Sequence, residues 1–118
     1  MAARAPAVAA SGPRGFVLTF HAQNVFGRDF ATNDHVALDE TLALLKRLRV
    51  PVLRLVDVVA RLRLGRSSSL PPRYCALTFD DGTDFEWMDV EHPQHGVQPS
   101  MVSILRRHSR GLLARLGP

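Results

Sequence analysis

Residues 74–87 read YCALTFDDGTDFEW. The first six are apolar and β-prone, which predicts a buried strand. Two carboxylates, Asp80 and Asp81, then stand side by side ahead of Gly82. Like charges in contact repel, so their place at a strand end asks for a reason. A bound cation supplies one, because one carboxylate becomes a ligand and the other stays free nearby as a proton acceptor. Gly82 lets the backbone turn sharply enough for both to reach one pocket. A turn or a helix N-cap uses the same residue types, and on the triplet alone that plainer use is the commoner one.

Outward from this stretch the chain alternates. FVLTF, Phe16 to Phe20, predicts a strand that ends at His21. AQNVFGRDFATND, residues 22–34, is loop-like, with Asn and Gly punctuation. Asn33 or Asp34 can then cap a helix in which Val36, Leu38, Leu42, Leu45 and Leu48 fall on helical spacing, with Asp39, Glu40, Lys46 and Arg47 on the other side. Pro51 bars that helix from continuing. PVLRLV predicts a second strand ending near Leu55, and DVVARLRL a short helix with Asp57 near its positive end. GRSSSLPPR is a loop, YCALTF the third strand, and an irregular stretch leads to a last helix over roughly Ser100 to Leu116, with a break expected near Gly111. Strand and helix in turn define an α/β class with at least some parallel strands, whose chemistry sits at the C-terminal strand ends. His21 and Asp80-Asp81-Gly82 both occupy such ends.

The bounds agree with one domain. The chain has 118 residues, 46% of them hydrophobic, which is enough for a core. Residues 1–15, rich in Ala, Pro and Gly, read as a disordered lead-in without the apolar segment of a secretory signal. Localisation is therefore open, cytoplasmic by default, and no run approaches the roughly 20 apolar residues of a membrane span. The single cysteine, Cys75, excludes an internal disulfide and a cysteine zinc cluster, and its apolar strand predicts a buried structural thiol. The net charge of +4 comes mostly from dispersed arginines, with a cluster at Arg106, Arg107, Arg110 and Arg115. A basic nucleic-acid-binding protein would use that cluster, yet no base-reading or stacking motif accompanies it, so no specific nucleic-acid partner is expected.

ALTFDDG resembles the first motif of the polysaccharide deacetylase family, the NodB-homology or carbohydrate esterase type. The likeness extends upstream through Phe20-His21, a loop, a leucine-rich helix, a short strand and the DVVARL helix, from Phe16 to Gly82. It implies a distorted (β/α) barrel and a metal-dependent hydrolase that removes N-acetyl groups from sugar polymers by breaking a non-peptide carbon–nitrogen bond. By position, Asp80 matches the family's general base and Asp81 its metal-binding aspartate, the metal usually being zinc. His21 matches a histidine near the barrel mouth, with a possible site-lining role.

The chain departs from that family by lacking its second metal-binding motif and its later motifs, which supply an arginine that orients the base, the acetyl-pocket walls and a general-acid histidine. Two histidines in a His-Ser/Thr-x-x-His stretch complete the family's metal ligands. Here 36 residues follow Gly82 and none forms that stretch. His92 and His95 are the nearest substitutes, at a spacing of three with Pro93 and Gly96 about them, so they read first as an exposed polar loop and only weakly as ligands. His35 and His108 read as exposed. A full barrel needs roughly 200 residues or more. Residues 16–118 therefore read as a partial, truncated NodB-homology domain, whether by gene truncation, frameshift or fragmentary reading. The expectations are an incomplete and inactive hydrolase, weak or absent zinc binding, and self-association through an open sheet edge. A catalytically dead descendant that binds carbohydrate or protein is the alternative.

Overall fold

The computed structural model describes residues 12–116. It is mixed α/β, in the order β1 (Arg14–His21), α1 (Asp34–Arg47), β2 (Val52–Leu53), α2 (Leu55–Arg63), a 3-10 turn (Ser67–Ser69), β3 (Arg73–Asp80), α3 (Asp84–Trp87), β4 (Val90–His92), β5 (Gly96–Gln98) and α4 (Met101–Leu116). Three strands form one sheet in the order β1-β3-β2, and β4 with β5 forms a separate antiparallel pair. No barrel closes among the described residues. No helix among them is long and apolar enough to cross a membrane. Of the expected lead-in, residues 1–11 lie outside the described residues, and β1 starts at Arg14, two positions before the apolar run.

The described residues divide into two compact units. The first takes the chain up to Leu18 together with Val50–Leu77. β2 runs parallel to β3, with Val52 opposite Cys75 and Leu53 opposite Ala76. Val58 of α2, Leu70 and Tyr74 are buried together, with Leu53 against them. Cys75 is fully buried, as its apolar strand predicted, and burial pushes its thiol up against the smaller opposing pull of a backbone hydrogen bond at Leu18. Gly15 sits where a β-carbon would lie 1.9 Å from the Tyr74 ring, so this close approach admits no side chain. β2 is shorter than PVLRLV suggested. Helix α2 starts at Leu55, and Arg54 at its N-cap pairs with Asp57 at 2.8 Å across the first turn.

The second unit holds Thr19–Arg49 and the chain from Thr78 onward. Helix α1 buries His35, Leu38, Leu42 and Leu45, the i, i+3, i+7, i+10 stripe of one helical face. Leu48, expected on that face, is half exposed at the C-cap, and Arg49 ends the helix with a φ of 55°. α4 packs against α1 and α3 and buries Met101 and Ile104. It runs through Gly111 without the expected break. The stretch after Gly82 is not irregular, because α3 and the β4–β5 hairpin occupy it. Elements of three or four residues are too short to show a period, which is why the pattern missed them.

Neither histidine expected at the surface is fully exposed, since His35 is buried and His108 is partly buried. His35 is 4% exposed. On α4, the Nε2–H of His108 donates to Asp39 Oδ1 at 2.6 Å, and Arg107 donates to the same oxygen at 2.8 Å. Asp39, expected on the solvent side, thus ties α1 to α4. Burial works to raise its carboxyl, and the bonds from His108 and Arg107 outweigh that and hold it below its usual value. A lowered carboxyl stabilises the fold above its unfolded value of 3.8, and that contribution is lost as pH falls through the lower folded value. Asp39→Asn should cost about 1 kcal/mol at pH 7, since the cluster is half exposed, and the difference from wild type should vanish near pH 2. Urea unfolding at the two pH values checks this, and an undiminished difference at low pH would show that the cost is not ionic.

Candidate functional site

The site lies in the second unit, at the C-terminal ends of β1 and β3. Thr19 and Thr78 share a hydrogen bond at 2.9 Å, the Phe20 and Phe79 rings stack at 5.8 Å, and His21 Nε2 lies 3.5 Å from Asp80 Oδ2. These pairs advance together along both strands, so β1 and β3 end side by side and in the same direction. His21 and Asp80 are about half exposed. Their separation is longer than a well-formed hydrogen bond.

The chain turns immediately after Asp80. Asp81 has a φ of 79° and Gly82 a φ of 59°, both left-handed. That region is open to glycine and tolerated by aspartate, at some cost for any residue with a β-carbon. The turn breaks the strand's alternation, and Asp81 finds a partner of its own, with Gln23 Nε2 donating to its Oδ2 at 2.9 Å. Each carboxylate therefore has a separate neighbour, His21 for Asp80 and Gln23 for Asp81. The N-cap of α3 is Thr83, so Asp80 and Asp81 do not cap that helix.

Backbone ties hold this arrangement. Asp34 Oδ2 accepts the N–H groups of Gln23 at 2.9 Å and Asn24 at 2.8 Å, while its own N–H donates to Asn24 O at 2.7 Å. Thr83 Oγ1 donates to Ala22 O at 2.9 Å, and buried Glu86 accepts Gly82 N–H at 3.2 Å. Asn33 is the N-cap of α1 by position, yet its side chain makes no cap bond and donates instead to Asp29 O and Oδ2. Hydrogen bonds from Thr32 lead the effects that hold the Asp29 carboxyl low. Pattern reading missed Gln23, which no motif marks, and took Asp34 only as a cap. Thr83 and Glu86 did carry a signal, the Thr-x-x-Glu of a capping box, of which the glutamate half is realised on Gly82 rather than on the cap residue.

His92 and His95 stand on the β4–β5 hairpin with ring centroids 4.7 Å apart. His92 Nδ1 accepts the Gln94 N–H at 3.1 Å, so that nitrogen serves the turn. Phe26 lies 5.8 Å from both the Phe85 and His92 rings, which makes a run of rings Phe85–Phe26–His92–His95. Among the described residues, no three His, Cys, Asp or Glu side chains converge to hold a metal ion. Comparison of the chain with family models, with curated proteins and with solved structures finds no match.

Proposed function

We propose that the chain carries the proton-accepting half of a polysaccharide deacetylase-type hydrolase site, within the first part of a distorted (β/α) barrel. The supporting observation is the pairing of His21 with Asp80 at the shared end of β1 and β3, beside an Asp81 turned to its own partner. In this class an N-acetyl amide is hydrolysed, with water adding to the carbonyl carbon and the carbon–nitrogen bond breaking to acetate and amine. Asp80, half exposed and next to a histidine, takes the proton of the attacking water. Asp81 is held by Gln23. Zinc belongs to the complete class, with Asp81 as one ligand, and the donors described here are too few to hold it well. On this reading the chain alone is expected to be inactive, because the sequence lacks the class's second motif.

The test is the coding sequence beyond the codon for Pro118, read in three frames. A His-Ser/Thr-x-x-His stretch within several dozen codons is expected, and none in any frame would overturn the proposal. Assayed by itself on an N-acetylated chitooligosaccharide, the 118-residue chain should release no acetate. Turnover at an enzymatic rate would show that the site is complete without a second motif.

Sugar binding without hydrolysis has one observation behind it. The run of rings starts at Phe26 and Phe85, three and four positions along the chain from the bonded pair Gln23 and Asp81, and Phe26 is half exposed. Aromatic faces suit sugar rings. Binding of the same oligosaccharide that weakens in Phe26→Ala would support it, and equal binding by both proteins would remove it. Self-association belongs to the proposal as well, through the β1 edge at half-exposed Phe16 and Val17.

A further inference from the structure

Helix α2 turns apolar side chains toward solvent. Val58 is its buried residue, set against Leu70 and Tyr74. Val56, Val59 and Leu62, each three positions from the next, follow one side of the helix and are all exposed, Val56 by 64% and Leu62 by 51%. Leu64 at the C-cap is 67% exposed. A surface helix ordinarily shows water its polar face, so this stripe asks for a cover. It lies wholly within the first unit. The hydrolase reading, built on strand ends in the second unit, makes no use of it.

The charge around the stripe narrows what that cover is. From Val58 to Phe79 the chain holds four arginines and no carboxylate. The one carboxylate of α2, Asp57, is held by Arg54 at 2.8 Å. Arg61 donates to Ser69 O at 3.0 Å, across the turn that follows the helix. Arg63 and Arg66 are exposed, and neither forms an ion pair among the described residues. Cationic and aliphatic groups thus alternate through Arg61-Leu62-Arg63-Leu64, with Arg66 close behind.

A second copy of the chain is a poor cover. A two-fold contact sets the same patch against itself, which would bring the arginines of both copies together with no free carboxylate to receive them. A nucleic acid would satisfy the guanidiniums, but the stripe has no aromatic ring for a base to stack on, and its valines and leucines would stay wet. An anionic lipid surface meets both demands. The acyl boundary takes the aliphatic side chains, and headgroup phosphates take the guanidiniums, whose apolar stems lie along that boundary.

We propose that α2 and the turn after it, residues 55–66, form a docking surface for anionic membranes, with Val56, Val59, Leu62 and Leu64 entering the headgroup boundary and Arg63 and Arg66 on lipid phosphates. A helix of nine residues lies along such a surface and is too short to cross it. Few side chains are buried, so attachment is reversible, and its ionic part weakens with salt.

The experiment is flotation of the full chain with vesicles of phosphatidylcholine alone and with about 30% phosphatidylglycerol added. The chain should float with the anionic vesicles only, and raised salt should release it. Arg63→Gln with Arg66→Gln should weaken binding about fivefold for each arginine removed. Leu62→Gln with Leu64→Gln should weaken it on the order of tenfold. All four positions are exposed, so the fold is not at stake. Leu44→Gln, at an exposed leucine of α1, should bind as wild type does. No flotation with anionic vesicles, equal flotation with both kinds, or undiminished binding in both double variants would each overturn the proposal. So would a lipid-free dimer, seen by light scattering, that the leucine pair abolishes, because a second copy would then be the cover. A nitroxide-labelled lipid in bicelles of the anionic composition tests the same surface without substitution. It should broaden the Val59 and Leu62 amide resonances before that of buried Cys75 in the same unit, and uniform broadening would overturn the assignment.

Discussion

Leu38→Ala is expected to lower the unfolding free energy by about 2–5 kcal/mol, the range for emptying a leucine-sized space in a closed core. Leu38 has no exposed surface, and it lies in the middle of the buried stripe of α1, on the unit where α4 packs against that helix. The neighbours along the stripe, Leu42 and Leu45, are almost as buried, so little can move in to refill the space. Single domains hold about 5–15 kcal/mol in total. A loss of this size therefore brings the urea midpoint down sharply or leaves the chain unfolded at 25 °C. Val36→Ala is the control. Val36 is only partly buried and sits off the stripe, so it should cost about 1 kcal/mol or less. Equal losses at the two positions would mean that the α1 face is not the core of this unit.

The α1 stripe also shows how far the sequence could be read. Leu38, Leu42 and Leu45 announce the helix and its inner face by spacing alone, and the three strands of the main sheet follow from short β-prone runs bounded by Gly and Pro. A period identifies a face, and it says nothing about what a polar residue on that face will meet. His35 continues the stripe, yet a histidine near a helix start reads as exposed until the 22–33 loop and β5 are seen to cover it. Asp39 and His108 are 69 positions apart, and no local pattern announces a bond between them. At the site the division is the same. The place of the Asp80-Asp81-Gly82 triplet and His21 at strand ends was legible, because β1 and β3 follow from the apolar runs that precede them. Gln23 was not, since a glutamine in a loop is common and its hold on Asp81 depends on a left-handed turn that appears only in three dimensions.

Asp34→Ala is expected to free the loop at the candidate site while leaving the sheet intact. Two backbone N–H groups, of Gln23 and Asn24, lose their shared carboxylate acceptor. Hydrogen bonds to a charged group contribute about 1.5–3 kcal/mol each when protected from water. Both of these are solvent-accessible, so a combined cost of about 2 kcal/mol is the reasonable figure, with water taking over part of the bonding. The effect should be local. Protection of the Gln23 and Asn24 amides should collapse, whereas the Cys75 amide, bonded to Pro51 O at 2.9 Å in the other unit, should keep its own. Asp34→Asn separates charge from geometry, because its amide oxygen can still accept one N–H and should restore part of the protection. Gln23→Ala supplies the complementary case. It removes the bond on Asp81 Oδ2 without touching the bonds from Asp34, so the loop amides should stay protected while the Asp81 resonance shifts toward that of a freely averaging turn. If Asp34→Ala left both loop amides protected, the carboxylate would not be what holds Gln23 in place, and the left-handed conformation of Asp81 would need another support. If instead the loop is released and the Asp81 resonance moves with it, the order of dependence runs from Asp34 to Gln23 to Asp81. The orientation of the second carboxylate is then set by a helix start 47 positions earlier in the chain.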